Sequence, residues 1–124
     1  GDPIDIVENV CNGVDIFDCV SPTRLARHGH ALTRYGKINI KNAKYKEDFT
    51  PVEEGCTCYA CQNYTKAYIK HLINCEETFG ARLLSIHNIH YLINLTEELR
   101  SAIKEDRLLK YREEFIKNYY GKLQ

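Results

Sequence analysis

Three cysteines within six residues constrain the fold of this chain more than any other feature of its sequence. Cys56, Cys58 and Cys61 form a C-x-C-x2-C cluster that follows Gly55. Thiolates this close together in a tight loop can turn inward onto one metal ion, and zinc prefers four sulfur or nitrogen ligands in tetrahedral geometry. The cluster therefore predicts one zinc ion per chain, with a fourth ligand supplied from elsewhere.

The fourth ligand must come from a segment that folds back onto the cysteines. Cys75 and His71 follow the cluster, but along a continuous helix at 1.5 Å per residue they would lie about 20 Å and about 15 Å away. A chain reversal near Gly80 can bring back His87 or His90, and His87 is favoured because His90 lies a helical turn further on. The alternative is a disulfide among the cysteines, although neighbouring C-x-C pairs bridge poorly.

Filling all four positions with protein ligands makes the predicted zinc structural, with no open position for a substrate. Available thiolates indicate a reducing compartment. No apolar run approaches the roughly 18 residues of a membrane span, and nothing resembles a signal peptide. With 44% hydrophobic and 27% charged residues, the composition is that of a globular protein, and we expect a cytoplasmic location without a membrane partner.

The formal net charge of zero conceals a strongly basic block. Residues 1–18 and 47–61 carry acidic side chains and no basic ones, whereas residues 19–46 carry no acidic side chain. A basic stretch of this kind can bind phosphate groups, and the alternative is a solvated basic face. The basic residues of the block are Arg24, Arg27, Arg34, Lys37, Lys41, Lys44 and Lys46.

The N-terminal residues predict a helix followed by a strand. Asp2 and Pro3 resemble an N-cap and a proline at the first helical position, and Gly13 supplies an end. Residues 14–20 (VDIFDCV) are β-branched and aromatic, which predicts a strand that ends at the turn of residues 21–23. A helix followed so closely by a strand predicts an α/β fold.

The remaining residues predict a hairpin and three helices. Residues 32–35 and 37–40 flank Gly36 as a β hairpin, and residues 46–61 form an acidic loop. The first predicted helix has Gly80 near its end and carries on one face Tyr64, Ala67, Tyr68, His71, Leu72 and Cys75. The second covers residues 83–104, with an apolar face of Ile86, Ile89, Ile93 and Leu95. The last helix carries Leu108, Tyr111, Phe115 and Tyr119.

Asp18 lies near the C-terminal end of the predicted strand, where α/β proteins bind their ligands. Alternation along the strand places Asp15 on the opposite face. Arg24 and Arg27 follow closely, and cations beside a nucleophilic carboxylate suit a polyanionic substrate. The alternative is a surface or capping aspartate.

Four ordered motifs resemble the C-terminal third of the tRNA-guanine transglycosylases, also called queuine tRNA-ribosyltransferases. These motifs are GVDIFDCVSPTR at 13–24, INIKNAKYKEDFTP at 38–51, CTCYACQNYTKAYIKHL at 56–72 and LLSIHNIHY at 83–91. The resemblance implies an α/β fold, namely the C-terminal portion of a TIM (β/α)8 barrel with a zinc-binding subdomain and C-terminal helices. Residues 1–46 would hold the last barrel strands and RNA-contacting segments, and residues 47–124 the zinc-binding subdomain and C-terminal helices.

The resemblance also implies an activity, which is the exchange of guanine at the tRNA wobble position for a 7-deazaguanine base. Asp18 would be the nucleophile that attacks the ribose C1′, and the zinc ligands would be Cys56, Cys58, Cys61 and His87. The partners would be tRNA, the free base and a second copy of the chain in a homodimer. RNA contacts are implied for Gly1, Asp2, Pro3, Ile4, Asp5, Thr23, Leu25 and Ala26 together with Arg24 and Arg27.

Two departures and one absence qualify the resemblance. Ser21 stands where many members have an apolar residue and His30 where a small polar one is common, and neither departure removes a motif residue. Gly1 and the lack of methionine predict a processed chain or a piece of a longer one. The family's proton-transfer carboxylate and most of its guanine pocket precede these motifs, so we expect the 124 residues alone to be inactive. The alternatives are a non-catalytic zinc module for RNA binding or dimerisation and an accessory subunit.

Overall fold

The computed structural model describes residues 2–18 and 20–121, and this part of the chain contains six α helices and one β hairpin. It is therefore rich in α helix. The elements are α1 (Pro3–Cys11), α2 (Ser21–Arg27), β1 (His30–Thr33), β2 (Gly36–Asn39), a 3₁₀ helix (Ala43–Tyr45), α3 (Tyr59–Asn63), α4 (Lys66–Asn74), α5 (Thr78–Lys104) and α6 (Leu108–Gly121).

The first helix is confirmed, whereas the strand predicted after it is wrong. Pro3 opens α1, and Gly13 follows its end with a φ of 96° that suits glycine. Residues 14–18 and Val20 form no regular structure, and Ile16 is 88% exposed. A β strand forms only when its backbone is hydrogen-bonded to a neighbouring strand. Among the described residues the only sheet is the hairpin, and it does not include residues 14–18. The rest of the predicted strand, Cys19, lies outside the described residues.

A short helix replaces the turn predicted at residues 21–23. Helix α2 begins at Ser21 and carries Pro22 in its first turn, where the missing N–H of proline would have had no helical partner. Arg24 and Arg27 lie in its last turn, where cations interact favourably with the helix dipole. The basic residues that follow Asp18 are therefore presented from a helix.

The predicted hairpin is confirmed, but its turn precedes Gly36. Strand β1 ends at Thr33 and Gly36 is the first residue of β2, so Arg34 and Tyr35 form the turn. Strands β1 and β2 pair antiparallel, with His30 opposite Asn39 and Thr33 opposite Gly36. Gly36 begins β2 with a φ of 116°, a conformation that favours glycine. The Thr33 Oγ1 donates a hydrogen bond of 2.6 Å to the Gly36 carbonyl, which closes the turn.

Helix α5 is the central element, because it contacts α1, α2, α3, α4, α6 and β1. It ends at Lys104 as predicted and begins at Thr78, five residues before the predicted start. The predicted apolar face is confirmed at Leu95, which is buried, and at Ile86, which packs partly buried against the core. It is wrong at Ile89 and Ile93, which are 42% and 56% exposed. The buried positions of the helix are Gly80, Leu83, Leu84, His87, Asn88, Tyr91, Leu92, Leu95, Leu99 and Ala102.

Two clusters of buried side chains flank α5. One lies between the cysteine loop, the hairpin and α4, where Ile69 and Leu72 are buried while Tyr68 and His71 are exposed. The other cluster joins α1, α5 and α6. In α6, Phe115 stacks on Tyr119, and both lie on the face predicted for the last helix. Within residues 2–18 and 20–121, no helix has the length and apolar character needed to cross a membrane.

Candidate metal centre and the Asp18 cavity

The cysteine loop directs its sulfur atoms inward through hydrogen bonds from its own backbone. Gly55 enters the loop with a φ of 82°, which is a backbone conformation that favours glycine. The Cys58 N–H donates to the Cys56 Sγ at 3.5 Å, and the Cys61 N–H donates to the Cys58 Sγ at 3.3 Å. Cys58 is thus the N-cap of α3. Such N–H donors favour the thiolate form that a metal ion requires.

His87 completes the cluster from α5. Its side chain is fully buried, and its Nδ1 lies 3.6 Å from the Cys56 Sγ, 3.6 Å from the Cys58 Sγ and 3.4 Å from the Cys61 Sγ. Its Nε2 lies 2.7 Å from the Leu32 carbonyl oxygen. A carbonyl only accepts hydrogen bonds, so in the neutral imidazole the proton is on Nε2 and the lone pair of Nδ1 faces the sulfurs.

The predicted preference for His87 over His90 agrees with this arrangement. The His90 Nε2 instead lies 3.2 Å from the Thr57 Oγ1 and 3.1 Å from the Asn94 Nδ2, on the exposed side of α5. Cys75, the other candidate, is exposed at the end of α4, where its sulfur lies 3.9 Å from both ring nitrogens of His71. Cys56, Cys58 and Cys61 are free thiols.

The separations in the cluster fit a tetrahedral ion. The sulfur atoms of Cys56, Cys58 and Cys61 and a ring nitrogen of His87 all lie within 4.8 Å of one another. Zinc–sulfur bonds of about 2.3 Å and a zinc–nitrogen bond of about 2.0 Å give sulfur–nitrogen edges of roughly 3.5 Å. The observed edges of 3.4 to 3.6 Å match this value. The four side chains are therefore close enough to hold one metal ion.

The electrostatics of the cluster suit a dication. A hydrogen bond from Cys61 lowers the pKa of Cys58, and the same bond raises the pKa of Cys61. Burial acts to lower the pKa of His87, but hydrogen bonds to Cys56, Cys58 and Leu32 outweigh it and raise that pKa to about 10. The cluster therefore retains protons that a bound dication displaces, because the ion needs thiolates and a neutral imidazole.

Asn88, which the sequence reasoning missed, ties this centre to two other elements. Its Oδ1 accepts a hydrogen bond of 2.9 Å from the Leu32 N–H, and its Nδ2 donates to the carbonyls of Pro22 and His30 at 3.0 and 3.1 Å. The N–H of Leu32 thus bonds Asn88 and its carbonyl bonds His87, and these are consecutive residues of α5. An asparagine in the middle of a long helix disfavours that helix, and this was the signal available in the sequence.

Asp18 lies on the wall of a shallow surface cavity of about 410 Å³. Arg24 of α2 and Lys37 of β2 line the same cavity, together with Asp2 and Asp5. Asp18 and Arg24 are both exposed. The structure therefore brings Asp18 and Arg24 together, as the sequence predicted, while the predicted neighbour Arg27 is not part of the cavity wall.

The remaining residues with an implied RNA contact differ in accessibility. Asp5 is exposed, Asp2 accepts a hydrogen bond of 3.2 Å from the Tyr119 hydroxyl, and the Thr23 Oγ1 donates to the Val20 carbonyl. Pro3 and Ala26 are buried, so their side chains pack inside the protein, whereas Ile4 and Leu25 are half-buried. Gly1 lies outside the described residues. An RNA contact stays a prediction for all of these residues.

The fold and the site thus define the class of protein to which this chain belongs. It is an α-rich protein segment that carries a buried Cys3His cluster. The chain belongs to the queuine tRNA-ribosyltransferase family, whose sequence model matches residues 1–121. Relatives named queuine tRNA-ribosyltransferase, which is the name of an enzyme, occur in Macrococcus caseolyticus and Listeria welshimeri. They are 55% and 56% identical over 119 residues, which is 96% of this chain and 31% of each relative.

A third relative has the same name and a similar match. The queuine tRNA-ribosyltransferase of Streptococcus mutans is 54% identical over 123 residues, covering 98% of this chain and 32% of the relative. The chain therefore spans about a third of the length of the curated relatives that it matches.

Proposed function

We propose that this chain is the C-terminal part of a tRNA-guanine transglycosylase, which exchanges guanine at the tRNA wobble position for a 7-deazaguanine base. The observation that carries the proposal is the exposure of Asp18 on a cavity wall that it shares with Arg24 and Lys37. A nucleophile must be reachable by its substrate, and Arg24 and Lys37 supply positive charge beside it, against the negative charge of Asp2 and Asp5 on the same wall. Membership of the family supports the same assignment.

The proposed chemistry is a double displacement at the ribose C1′. The Asp18 carboxylate attacks C1′ as the bond to guanine N9 breaks, and the departing guanine takes a proton from an acid that the rest of the enzyme supplies. The incoming base loses its N9 proton and then displaces Asp18 from C1′. Both steps pass through an oxocarbenium-like state, as in retaining glycosidases. In this proposal, segments of the full-length enzyme that precede the 124 residues complete the TIM barrel and supply the guanine pocket.

We assign zinc to the Cys3His cluster and give it a structural role. The ligand atoms of Cys56, Cys58, Cys61 and His87 lie within 4.8 Å of one another, and a zinc ion with four protein ligands has no position left for substrate. The thiolate ligands support a reducing, cytoplasmic location. The family resemblance supports a homodimer and the tRNA and 7-deazaguanine partners.

The test is covalent trapping of tRNA by the protein at the full length of its relatives. Asp18→Asn should abolish the covalent adduct and leave noncovalent tRNA binding within about twofold, because the amide cannot act as the nucleophile. Trapping that survives this substitution would contradict the assignment of Asp18.

A second measurement tests the division of labour within the enzyme. The 124 residues alone should not incorporate radiolabelled guanine into tRNA, whereas the full-length enzyme should. Turnover by the 124 residues would show that the chain contains the whole catalytic apparatus. Zinc-dependent tRNA binding without an adduct, even at full length, would favour a non-catalytic module instead.

A further inference from the structure

The Asp18 cavity shares one lining residue with a second cavity along the hairpin. This second cavity, the hairpin cavity, has a volume of about 630 Å³ and is lined by residues of β1, β2 and the loop around Tyr45 and Val52. Lys37 lines both cavities. Because one exposed side chain forms part of both walls, a ligand that reaches Asp18 can extend past Lys37 onto the hairpin.

Basic side chains dominate the wall of the hairpin cavity. Arg34, Lys37, Lys44 and Lys66 line it, against the two carboxylates of Glu53 and Glu54. The excess of cations comes largely from the basic block of residues 19–46, which lacks acidic residues in its own sequence. The fold thus gathers part of that block on one surface instead of dispersing it.

Two of these cations are not neutralised by the protein. Arg34 pairs with Glu53 at 3.7 Å, and Lys66 pairs with Asp48 at 3.3 Å. Among the ion pairs of residues 2–18 and 20–121, none involves Lys37 or Lys44. The Lys44 Nζ lies 5.2 Å from the centre of the Tyr45 ring, a contact that positions a cation without cancelling its charge. Lys37 and Lys44 therefore remain available to an anionic partner.

We propose that the RNA strand whose nucleotide reaches Asp18 continues across β2 and the following 3₁₀ helix, where Lys37 and Lys44 bind phosphates of neighbouring nucleotides. This inference rests on the proposed function and extends the RNA-contacting surface from α2 to the hairpin. The carboxylates of Asp2, Asp5 and Asp18 repel phosphates from the Asp18 cavity itself. A strand therefore keeps its sugar at Asp18 and its charge on the lysine side.

The experiment measures binding of the zinc-loaded, full-length protein to an anticodon stem-loop RNA with guanine at the wobble position, over a series of salt concentrations. Lys37→Ala and Lys44→Ala should each weaken binding about two- to fivefold. Each should also reduce the slope of log affinity against log salt by about 0.7, the value for one lost contact to a single strand. Lys37→Arg should restore the slope, because the arginine retains the charge.

Lys104 provides the matched control. It is an exposed lysine at the C-terminal end of α5 and lines neither cavity. Lys104→Ala should leave both affinity and slope unchanged. The inference is overturned if Lys37→Ala and Lys44→Ala bind like the parent protein, or if Lys104→Ala loses as much as they do. Weaker binding of the lysine variants, combined with no covalent adduct at Asp18 in the parent protein, would refute the proposed function and leave this surface standing.

Discussion

The metal centre and the segment that carries Asp18 belong to one small chain, but they are held in place by different interactions. Cys58, Cys61 and His87 are at most 8% exposed, and each contacts other members of the cluster. Residues 14–18 form no regular structure, and Asp18 is exposed. In the described part of the chain, no side chain or N–H donates a hydrogen bond to the Asp18 carboxylate.

The comparison indicates that stability and reactivity reside in separate parts of the molecule. A closed four-ligand site can contribute more to stability than a small hydrophobic core. A reactive carboxylate gains nothing from such enclosure, because it must meet a large substrate. Asn88 links the two regions, since it follows the ligand His87 and reaches the Pro22 carbonyl in the helix after Asp18. Four substitutions, ordered by expected effect, test this separation.

The largest effect should come from His87→Ala. The variant removes one metal ligand and leaves the Leu32 carbonyl without its partner. Structural zinc contributes roughly 10–16 kcal/mol, which is comparable to the whole stability of a domain. We expect loss of stoichiometric zinc, measured by metal analysis, and loss of cooperative thermal unfolding, measured by circular dichroism.

The neighbouring His90 supplies the control for this prediction. Its ring bonds Thr57 and Asn94 outside the cluster, so His90→Ala should retain zinc and cooperative unfolding. A zinc loss equal in both variants would show that the ligand assignment between the two histidines is wrong.

A smaller but clear loss is expected for Asn88→Ala. Removal of the amide takes away the bond that Asn88 makes to the Leu32 N–H and to each of the carbonyls of Pro22 and His30. Unsatisfied buried groups of this kind cost about 1–3 kcal/mol each, and partial relaxation should limit the total to about 3 kcal/mol. Urea denaturation measures this difference, and the zinc content should not change.

The control is Asn94→Ala on the exposed side of the same helix. We expect a change in the free energy of unfolding within about 0.5 kcal/mol, because the Asn94 amide bonds only the His90 ring among the contacts described. Equal effects at residues 88 and 94 would mean that Asn88 does not join the two regions.

Removing a charge from the helix after Asp18 should matter less still. Arg24 is exposed and lines the same cavity as Asp18. We expect Arg24→Ala to leave zinc content unchanged and to lower the free energy of unfolding by at most about 1 kcal/mol, measured by urea denaturation. A loss of zinc in this variant would contradict the separation of the two regions.

The smallest effect on stability should come from Asp18→Asn. The substitution conserves shape, and the side chain is exposed. We expect the free energy of unfolding to change by less than about 0.5 kcal/mol in the same urea measurement, although covalent trapping should be lost. A stabilisation above about 1 kcal/mol would instead show that the carboxylate is held under repulsion from Asp2 and Asp5.

The metal centre could be predicted from the sequence because its chemistry is local. Three cysteines in one loop restrict the geometry to a single ion, and the helix rise excludes His71 and Cys75 as the fourth ligand. Asn88 could not be found in this way. Its three partners lie 56 to 66 residues earlier in the chain, and only the fold brings them to α5.

The errors in the fold have a common physical cause. Helix α5 carries apolar residues on two faces, and the buried face includes the polar His87 and Asn88. Hydrophobicity alone therefore favours the exposed face with Ile89 and Ile93. Residues 14–18 have the composition of a strand, but a strand is stabilised by neighbours that local composition does not reveal.

The Leu32 carbonyl has a consequence for how metal is acquired during folding. The three cysteines lie in one short loop, so their thiolates would be able to hold a metal ion before the rest of the chain has folded. The His87 ring, which the Leu32 carbonyl orients, would join them only after β1 has docked on α5. Ligand exchange at the ion should therefore report the late docking step in real time. Cobalt, whose visible spectrum changes with its ligands, would make that step observable in a refolding experiment.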